Sequence, residues 1–398
     1  MIHKFTIDNK NLVLDVNSNS LYEMDKSEFD LCGENGLLAP NNELQELIIN
    51  DKLYSKNDYE EFVPKERGEV KALCLNIAHD CNLRCKYCFA DGGEYQGKSE
   101  LMSFEVAKKA IDFLISNSGD IHNLEVDFFG GEPLMNWEVV KETVEYGDGQ
   151  AIKFNKNIRW TLTTNGILLD DEKIEFINEH MSNLVLSLDG RKEINDEMRG
   201  KGGHEKIVPK FQNAVRNREK DYYIRGTYTA KNLDFLEDVK HIYELGFKNI
   251  SMEPMVGDFE WAIKDEHLER IKAEYEKLAK FVVENDINYF HFMLPEHSPC
   301  IIKRLSGCGA GCEYLAIAPN GDVYSCHQFV GQNDKIVGKL ESGVTKHFPQ
   351  KNIYTNEKCV DCWVKFYCCG GCQANQTDIT CEIMRKRTEC ALWVKSLS

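Results

Sequence analysis

Between residue 71 and about residue 290 two hydrophobic patterns alternate along the chain. Six short apolar runs rich in β-formers read as strands: ALCLNIA (72–78), LEVDFFG (124–130), IRWTLTTNG (158–166), LVLSLDG (184–190), YIRGTYTA (223–230) and NISMEPM (249–255). Between them lie stretches with helical spacing, among them FEVAKKAIDFLISN (104–117), DEKIEFINEH (171–180), LDFLEDVKHIYELG (233–246) and HLERIKAEYEKLAKFVVEN (267–285). Six β–α units in a row predict an α/β core, a parallel sheet with helices outside, either open or curled into a partial (β/α)6 TIM-like barrel. Chemistry in such folds gathers at the C-terminal strand ends. Those ends read HDCNLRC, FFGGEP, TTNG, SLDG and EPM, all polar or glycine-containing, which predicts one shared mouth.

The pattern differs on either side of this core. Residues 1–65 carry two or three short strands with Asp, Asn and Ser turns in KFTIDNKNLVLDVNSNSLYEMD, then the helical NELQELIIN. They read as a small α+β unit, joined to the core segment 66–295 through the polar stretch KNDYEEFVPKERGE (56–69). After about residue 295 the alternation stops. Residues 296–398 are loop-rich and dense in cysteine, the composition of a domain organised around metal rather than a large apolar core.

Composition narrows the function. No apolar run approaches membrane-spanning length, and MIHKFTIDNK lacks the apolar segment of a signal peptide, so a cytoplasmic protein is expected, with no membrane partner. A formal charge of −17 argues against nucleic acid as a partner. Sixteen cysteines without an export signal point to metal binding or catalysis rather than disulfides. Cys32 and Cys74 stand apart and read as small buried hydrophobes.

Cys81, Cys85 and Cys88 form C-x3-C-x2-C directly after the first core strand. A short loop can wrap three thiolates around one iron–sulfur cubane and leave one iron open. A closed zinc site would want a fourth ligand, which His79 could offer. Gly130, Gly131, Glu132 and Pro133 follow the second strand, where paired glycines admit a ligand close to the backbone and a carboxylate can hold an amine. The cysteine loop followed by GGEP resembles the radical S-adenosylmethionine superfamily. The resemblance implies that the open iron chelates S-adenosylmethionine, whose reductive cleavage yields an adenosyl radical that abstracts hydrogen from a substrate. It also implies that Gly130–Pro133 contact the amino group, and that Ser187, Asp189 and Arg199 fall where relatives hold ribose and carboxylate, with Asn165 and Glu253 as further candidates.

Cys308 is followed by Gly321 and Cys326, and Cys359-x2-Cys362-x5-Cys368-x3-Cys372 by Cys390 after seventeen residues; this spacing resembles a SPASM domain, which carries two auxiliary [4Fe–4S] clusters and so implies three clusters in all. By position, Cys359, Cys362, Cys368 and Cys390 would hold one auxiliary cluster. Cys308, Cys326 and Cys372 would hold the other, with Cys312 as a possible fourth ligand or, failing that, an open iron for a substrate thiolate. Cys300, Cys369 and Cys381 are left unassigned, and structural zinc is the alternative for the C-x2-C pair.

Residues 1–65 resemble a RiPP recognition element, which implies binding the leader of a ribosomally made, cysteine-rich precursor peptide by strand addition. GCGAGCEYLAIAPNGDVYSCHQFVG (307–331) and CVDCWVKFYCCGGCQAN (359–375) resemble the thioether-forming SCIFF and ranthipeptide maturases. Such enzymes imply a one-electron donor, ferredoxin or flavodoxin. The competing resemblance is to anaerobic sulfatase-maturing enzymes, which oxidise Cys or Ser to formylglycine and carry an Asp base after the central auxiliary cysteine. Here that position is His327, a candidate catalytic base or a packing residue. A multi-cluster electron carrier is a third reading, disfavoured because electron carriage needs no such mouth.

Overall fold

In the computed structural model, which describes residues 1–57, 68–294, 305, 307–345 and 352–397, the first strands form where the sequence places Asp and Asn turns between apolar runs. β1 (Ile2–Ile7), β2 (Lys10–Asp15) and β3 (Ser20–Met24) make an antiparallel sheet in that order. Asp8 and Asn9, with φ of 51° and 62°, close the two-residue hairpin between Ile7 and Lys10. α1 (Lys26–Leu31) and α2 (Asn42–Ile49) follow, their first turns capped by the side chains of Asp25 and Asn41. Ile2, Val13, Met24, Cys32, Leu44 and Leu53 form the core beneath them. The buried Asp15 carboxylate accepts from both Ser55 N and Ser55 Oγ at 2.8 Å, fastening residue 55 to the end of β2. Residues 58–67 of the expected linker lie outside the described residues.

The parallel core is β4 (Ala72–His79), β6 (Asn123–Gly130), β7 (Asn157–Thr164), β8 (Asn183–Ser187), β9 (Asp221–Tyr228) and β10 (Asn249–Pro254), with β5 (Glu100–Leu101) added antiparallel to β4. The intervening helices are α3 (Phe104–Asn117), α4 (Trp137–Lys153), α5 (Asp171–His180), α6 (Lys192–Arg199), α7 (Gly203–Val215) and α8 (Phe235–Glu244). Ser103 and Asp170 cap α3 and α5 through Val106 N and Lys173 N. The result is the expected α/β architecture of six β–α units. Its strand order is β10-β9-β8-β7-β6-β4, and among the described residues the path does not close into a ring.

Alternate positions along these strands differ in kind. Leu124, Val126, Phe128, Ile158, Trp160, Leu162, Leu184, Leu186 and Ile224 are buried on one face. The registers Asp127↔Thr161, Thr161↔Asn183 and Asn183↔Asp221 put a polar set on the other.

The cysteine-rich segment departs from the loop-rich expectation. It adds β12 (Tyr314–Ile317) parallel to β4, then β13 (Asp322–Tyr324), β14 (Ile336–Lys339) and β15 (Gly343–Val344) antiparallel beyond it. These runs of two to four residues are too short to show a period. The chain divides into two compact units, one of residues 1–66, 265–307 and 351–398, the other of residues 67–264 and 308–350. The units are stitched from non-contiguous stretches, whereas the segments 1–65, 66–295 and 296–398 follow chain order. The first unit also holds α9 (Leu268–Glu284), the two-residue strand β11 (Asn288–Tyr289) and a C-terminal helix, Asp378–Lys395.

Candidate active site

β4 ends at His79, and the chain turns at once into the loop of Cys81, Cys85 and Cys88. Its own hydrogen bonds hold the loop. Asp80 accepts from Cys81 N (2.8 Å) and Ser99 Oγ (2.9 Å), and Lys86 N donates to Met198 O (2.9 Å). Leu83 N donates to Cys81 Sγ at 3.4 Å, and Asn165 Nδ2 reaches the same sulfur at 3.7 Å while donating to Asn82 Oδ1 at 2.8 Å. Gly130 and Gly131 pack directly against this turn. A Cβ at Gly131 would stand 2.0 Å from Asp80 O, and one at Gly130, whose φ is +125°, would stand 2.4 Å from Ala78 O. The paired glycines therefore bring the second strand end onto the cysteine loop.

Two buried carboxylates organise the remaining strand ends. Glu132 accepts from Leu134 N (3.0 Å), Thr164 Oγ1 (2.8 Å) and Asn165 N (2.8 Å), so it ties the end of β6 to that of β7. Burial pushes its carboxyl up to about 7, against the pull of those three donors. Asp189 accepts from Tyr87 Oη (2.5 Å), Arg199 Nη2 (2.9 Å) and Thr227 N (2.9 Å). Asp189 lies behind the cavity wall and Arg199 forms part of that wall. Arg199 Nε is buried with no hydrogen-bond partner. Beside Asp189 the guanidinium is held well above its ordinary value despite its burial.

All of this surrounds one cavity, about 1170 Å³ of empty space including its open mouth. It brings together Cys81, Cys85, Cys88, Gly130 to Pro133, Asn165, Ser187, Arg199, Glu253 and His327. Of the core candidates named from sequence, only Asp189 is absent from its wall. His327 packs edge-on against Phe89 and tilted on Phe129, and its Nδ1 lies 2.8 Å from Tyr314 Oη. Burial pulls its imidazole down to about 4, with Arg225 adding to the effect, so the ring is neutral near pH 7. Sequence reasoning did not single out Tyr87, Arg225, Thr227 or Tyr314. Arg225 and Thr227 were open to it, as polar residues alternating with buried ones along YIRGTY.

Residues 75–260 match the profile of the Radical SAM superfamily. The chain is 32% identical over 269 residues to protein MJ0907 of Methanocaldococcus jannaschii, covering 66% of this chain and 86% of that one. The chain belongs to the radical SAM superfamily. It is 25% identical over 343 residues to the cysteine-type anaerobic sulfatase-maturating enzyme of Clostridium novyi, covering 77% of this chain and 89% of that one. Its fold resembles that of Streptococcus suis SuiB bound to the precursor peptide SuiA, with a TM-score of 0.55, 17% identity and 94% coverage of both chains.

As a radical SAM enzyme the chain uses S-adenosylmethionine and a [4Fe–4S] cluster, and its residues fit both. Among the described residues no three His, Cys, Asp or Glu side chains converge tightly enough for a single metal ion. The three loop cysteines instead line the cavity together, as donors to a larger group. Burial pushes the thiols of Cys81 and Cys85 up to about 12 and about 11, so their thiolate forms need a cation such as iron beside them. The unpartnered Arg199 Nε offers a donor to a carboxylate, and the glycine pair leaves room for a ligand at the backbone.

The other cysteines fall into sets. Cys359, Cys362, Cys368 and Cys381 lie close enough for each thiol to bear electrostatically on the others. Cys390 sits apart from Cys359, Cys362 and Cys368, fully buried in the C-terminal helix, with Lys386, Glu389 and Glu276 as its charged neighbours. Cys326 is buried and accepts from Gln328 N at 3.5 Å, while Cys308 is exposed and Cys312 half-buried. These three belong to the second unit and Cys372 to the first. Cys369 ends a short helix with a φ of 57°. Cys300 lies outside the described residues.

Proposed function

We propose that this radical SAM enzyme is a cytoplasmic peptide maturase that joins a cysteine sulfur to a carbon of another residue in a ribosomally made precursor, forming a thioether. The observation that carries the peptide substrate is the edge of the N-terminal sheet. β3 is an outer strand, and beside it Tyr22, Met24, Leu44 and Leu47 line a groove with Glu28, Glu43, Glu46, the Lys10-paired Glu23 and a single lysine, Lys52. An extended leader added to that edge would gain main-chain hydrogen bonds, and the glutamates suit basic side chains on it. The fold match to SuiB, which runs over 94% of this chain, supports the same reading.

When bound and reduced, the cluster and S-adenosylmethionine supply the one-electron chemistry that creates a carbon radical on the substrate. The chain's own groups bind, orient and move protons. Arg199, whose buried Nε lacks a partner, would hold the S-adenosylmethionine carboxylate, with Asp189 fixing the guanidinium from behind. Ser187, Asn165 and Glu253 stand on the same wall for the ribose and amine. His327 is neutral, and in the tautomer whose Nδ1–H donates to the Tyr314 hydroxyl oxygen its Nε2 is the lone-pair nitrogen that takes the proton of a substrate thiol. Phe89 and Phe129 pack against the ring and fix its orientation at the cavity wall. The C-terminal cysteines would hold two auxiliary [4Fe–4S] clusters, and a ferredoxin or flavodoxin would reduce the enzyme.

A second reading is formylglycine formation, favoured by the likeness to the C. novyi enzyme and open to the same base. One experiment separates the two. The reduced enzyme is incubated with S-adenosylmethionine and a cysteine-rich peptide encoded beside its gene, and the peptide is alkylated and analysed by tandem mass spectrometry. A loss of two hydrogens with one thiol blocked supports the thioether. An aldehyde at a single residue establishes the second reading, and no peptide change beside normal 5′-deoxyadenosine formation removes the peptide as substrate.

A further inference from the structure

We propose that Cys381, rather than Cys390, is the fourth ligand of the cluster held by Cys359, Cys362 and Cys368. The inference rests on the reading of these cysteines as an auxiliary iron–sulfur site, and it assigns a residue that spacing alone passes over. Cys381 and Cys390 both lie on the C-terminal helix, Asp378–Lys395. Nine residues of α-helix separate them by about 13.5 Å along the axis and turn them to opposite sides. One cubane therefore cannot draw on both, and the helix must present one or the other.

The contacts of the helix decide which. Asp378, at its start, pairs with Lys358 at 2.6 Å, next to Cys359. Arg385 Nη2 lies 3.7 Å from Cys362 Sγ. Cys381 sits between Asp378 and Arg385 in sequence, one helical turn from each, so all three share the face turned to the Cys359–Cys362 loop. The residues leading into the helix are fastened to the same loops. Gln376 Nε2 donates to Gly370 O at 2.9 Å and reaches Cys359 Sγ at 3.7 Å, and Asn356 Nδ2 donates to Gln376 Oε1 at 2.9 Å. A capping box between Thr377 and Thr380 then fixes the first turn, where Cys381 is carried.

Cys390 lies on the other side. It shares a face with Lys386, one turn earlier, and the Lys386 ammonium pairs with Glu276 of α9 at 2.5 Å. Cys390 is fully buried there, beside Ala391 and Trp393, as a small apolar residue in the packing of the helix on α9. Cys381 is only half-buried, as a ligand at the rim of a cluster would be.

The test uses full-length protein reconstituted anaerobically, in a background in which Cys81, Cys85 and Cys88 are all alanine. Iron and sulfide per chain are measured with the electron paramagnetic resonance spectrum of the reduced protein, for Cys362→Ala, Cys381→Ala, Cys381→Ser and Cys390→Ala. Circular dichroism confirms that each variant is folded. The expected result is a loss of about four irons per chain, with the matching signal, in the Cys362 and Cys381 variants but not in Cys390→Ala. Alkylation read by mass spectrometry adds a second readout, with Cys381 protected while iron is bound and labelled once it is chelated. Loss of iron in Cys390→Ala with Cys381→Ala unchanged, or equal labelling of Cys381 with and without iron, overturns the assignment. An iron content that Cys362→Ala does not lower removes the auxiliary cluster at this site, and the assignment with it.

Discussion

Replacing Asp189 by Asn tests whether the S-adenosylmethionine site is held from behind. Asp189 has no solvent contact and its carboxylate takes three hydrogen bonds, from Tyr87 Oη, Arg199 Nη2 and Thr227 N. The Arg199 side chain keeps only 11% of its exposure, so the pair is a buried one. Removing one partner of a buried ion pair costs about 3–5 kcal/mol, because it strands the other charge. Asparagine keeps the shape and an acceptor for Arg199 and Thr227, which places the expected loss near the lower end, about 3 kcal/mol. Urea unfolding of the cluster-free protein, followed by tryptophan fluorescence, measures it.

The same substitution should weaken S-adenosylmethionine binding. Asp189 fixes the Arg199 side chain where it lines the cavity, and a tenfold rise in Kd by equilibrium dialysis corresponds to about 1.4 kcal/mol of lost positioning. Arg199→Gln alone strands the opposite charge, so the double variant should be less destabilised than the two singles added together, by about 1.5 kcal/mol or more. Strictly additive losses, or a Kd unmoved by Asp189→Asn, would refute the coupling and leave Asp189 as a packing residue.

Further outcomes follow from residues on and around the cavity wall. Burial raises the Asp127 carboxyl from its ordinary 3.8 to about 6, so the folded state holds its proton more tightly and stability falls as pH rises through that window. Asp127→Asn should therefore unfold at higher urea than the parent at pH 8, by about 3 kcal/mol, with the difference down to about half a kcal/mol at pH 4; an equal gain at both pH values would show another cause. Gly131→Ala puts a Cβ at 2.0 Å from Asp80 O, and should expel the cysteine loop and cut the iron bound by Cys81, Cys85 and Cys88 severalfold by iron assay. Tyr314→Phe removes the hydroxyl at 2.8 Å from His327 Nδ1 and should slow peptide modification about tenfold while peptide-free 5′-deoxyadenosine formation stays within twofold.

How far the sequence could be read depends on the length over which each feature repeats itself. The strands of the six β–α units run five to eight residues and their patterns are plain, as are the turn residues Asp8 and Asn9. The loop of Cys81, Cys85 and Cys88 and the Gly130–Pro133 turn are local in sequence, and the chain brings them together because adjacent parallel strands end side by side. Asp189 was legible as a member of the site but not as the support behind Arg199, since that distinction lies in which way a side chain turns at a strand end. β12 to β15 escaped because two to four residues carry no period. For Cys381 and Cys390 the proposed assignment turns on helix rotation rather than on spacing. Counting along the chain reaches Cys390, while the rotation of the helix brings Cys381 to the other cysteines.

The polar residues of the core strands carry more information than their motifs do. Parallel strands covered by helices on both faces read as nearly unbroken hydrophobic runs. LEVDFFG and IRWTLTTNG alternate instead, and the structure shows why: Val126, Phe128, Trp160 and Leu162 are buried on one face, while Asp127, Thr161 and Asn183 share the other. A face that carries Asp127, Thr161 and Arg225 is costly to close over with an apolar helix, which would offer their polar groups no partners. Toward the strand ends that face opens on the cavity, lined there by Thr163, Ser187, Arg225, Thr227 and Glu253, where a cofactor and a substrate can meet. Alternation in strands otherwise connected as a parallel sheet is thus a mark of an internal site, visible before any cysteine is counted.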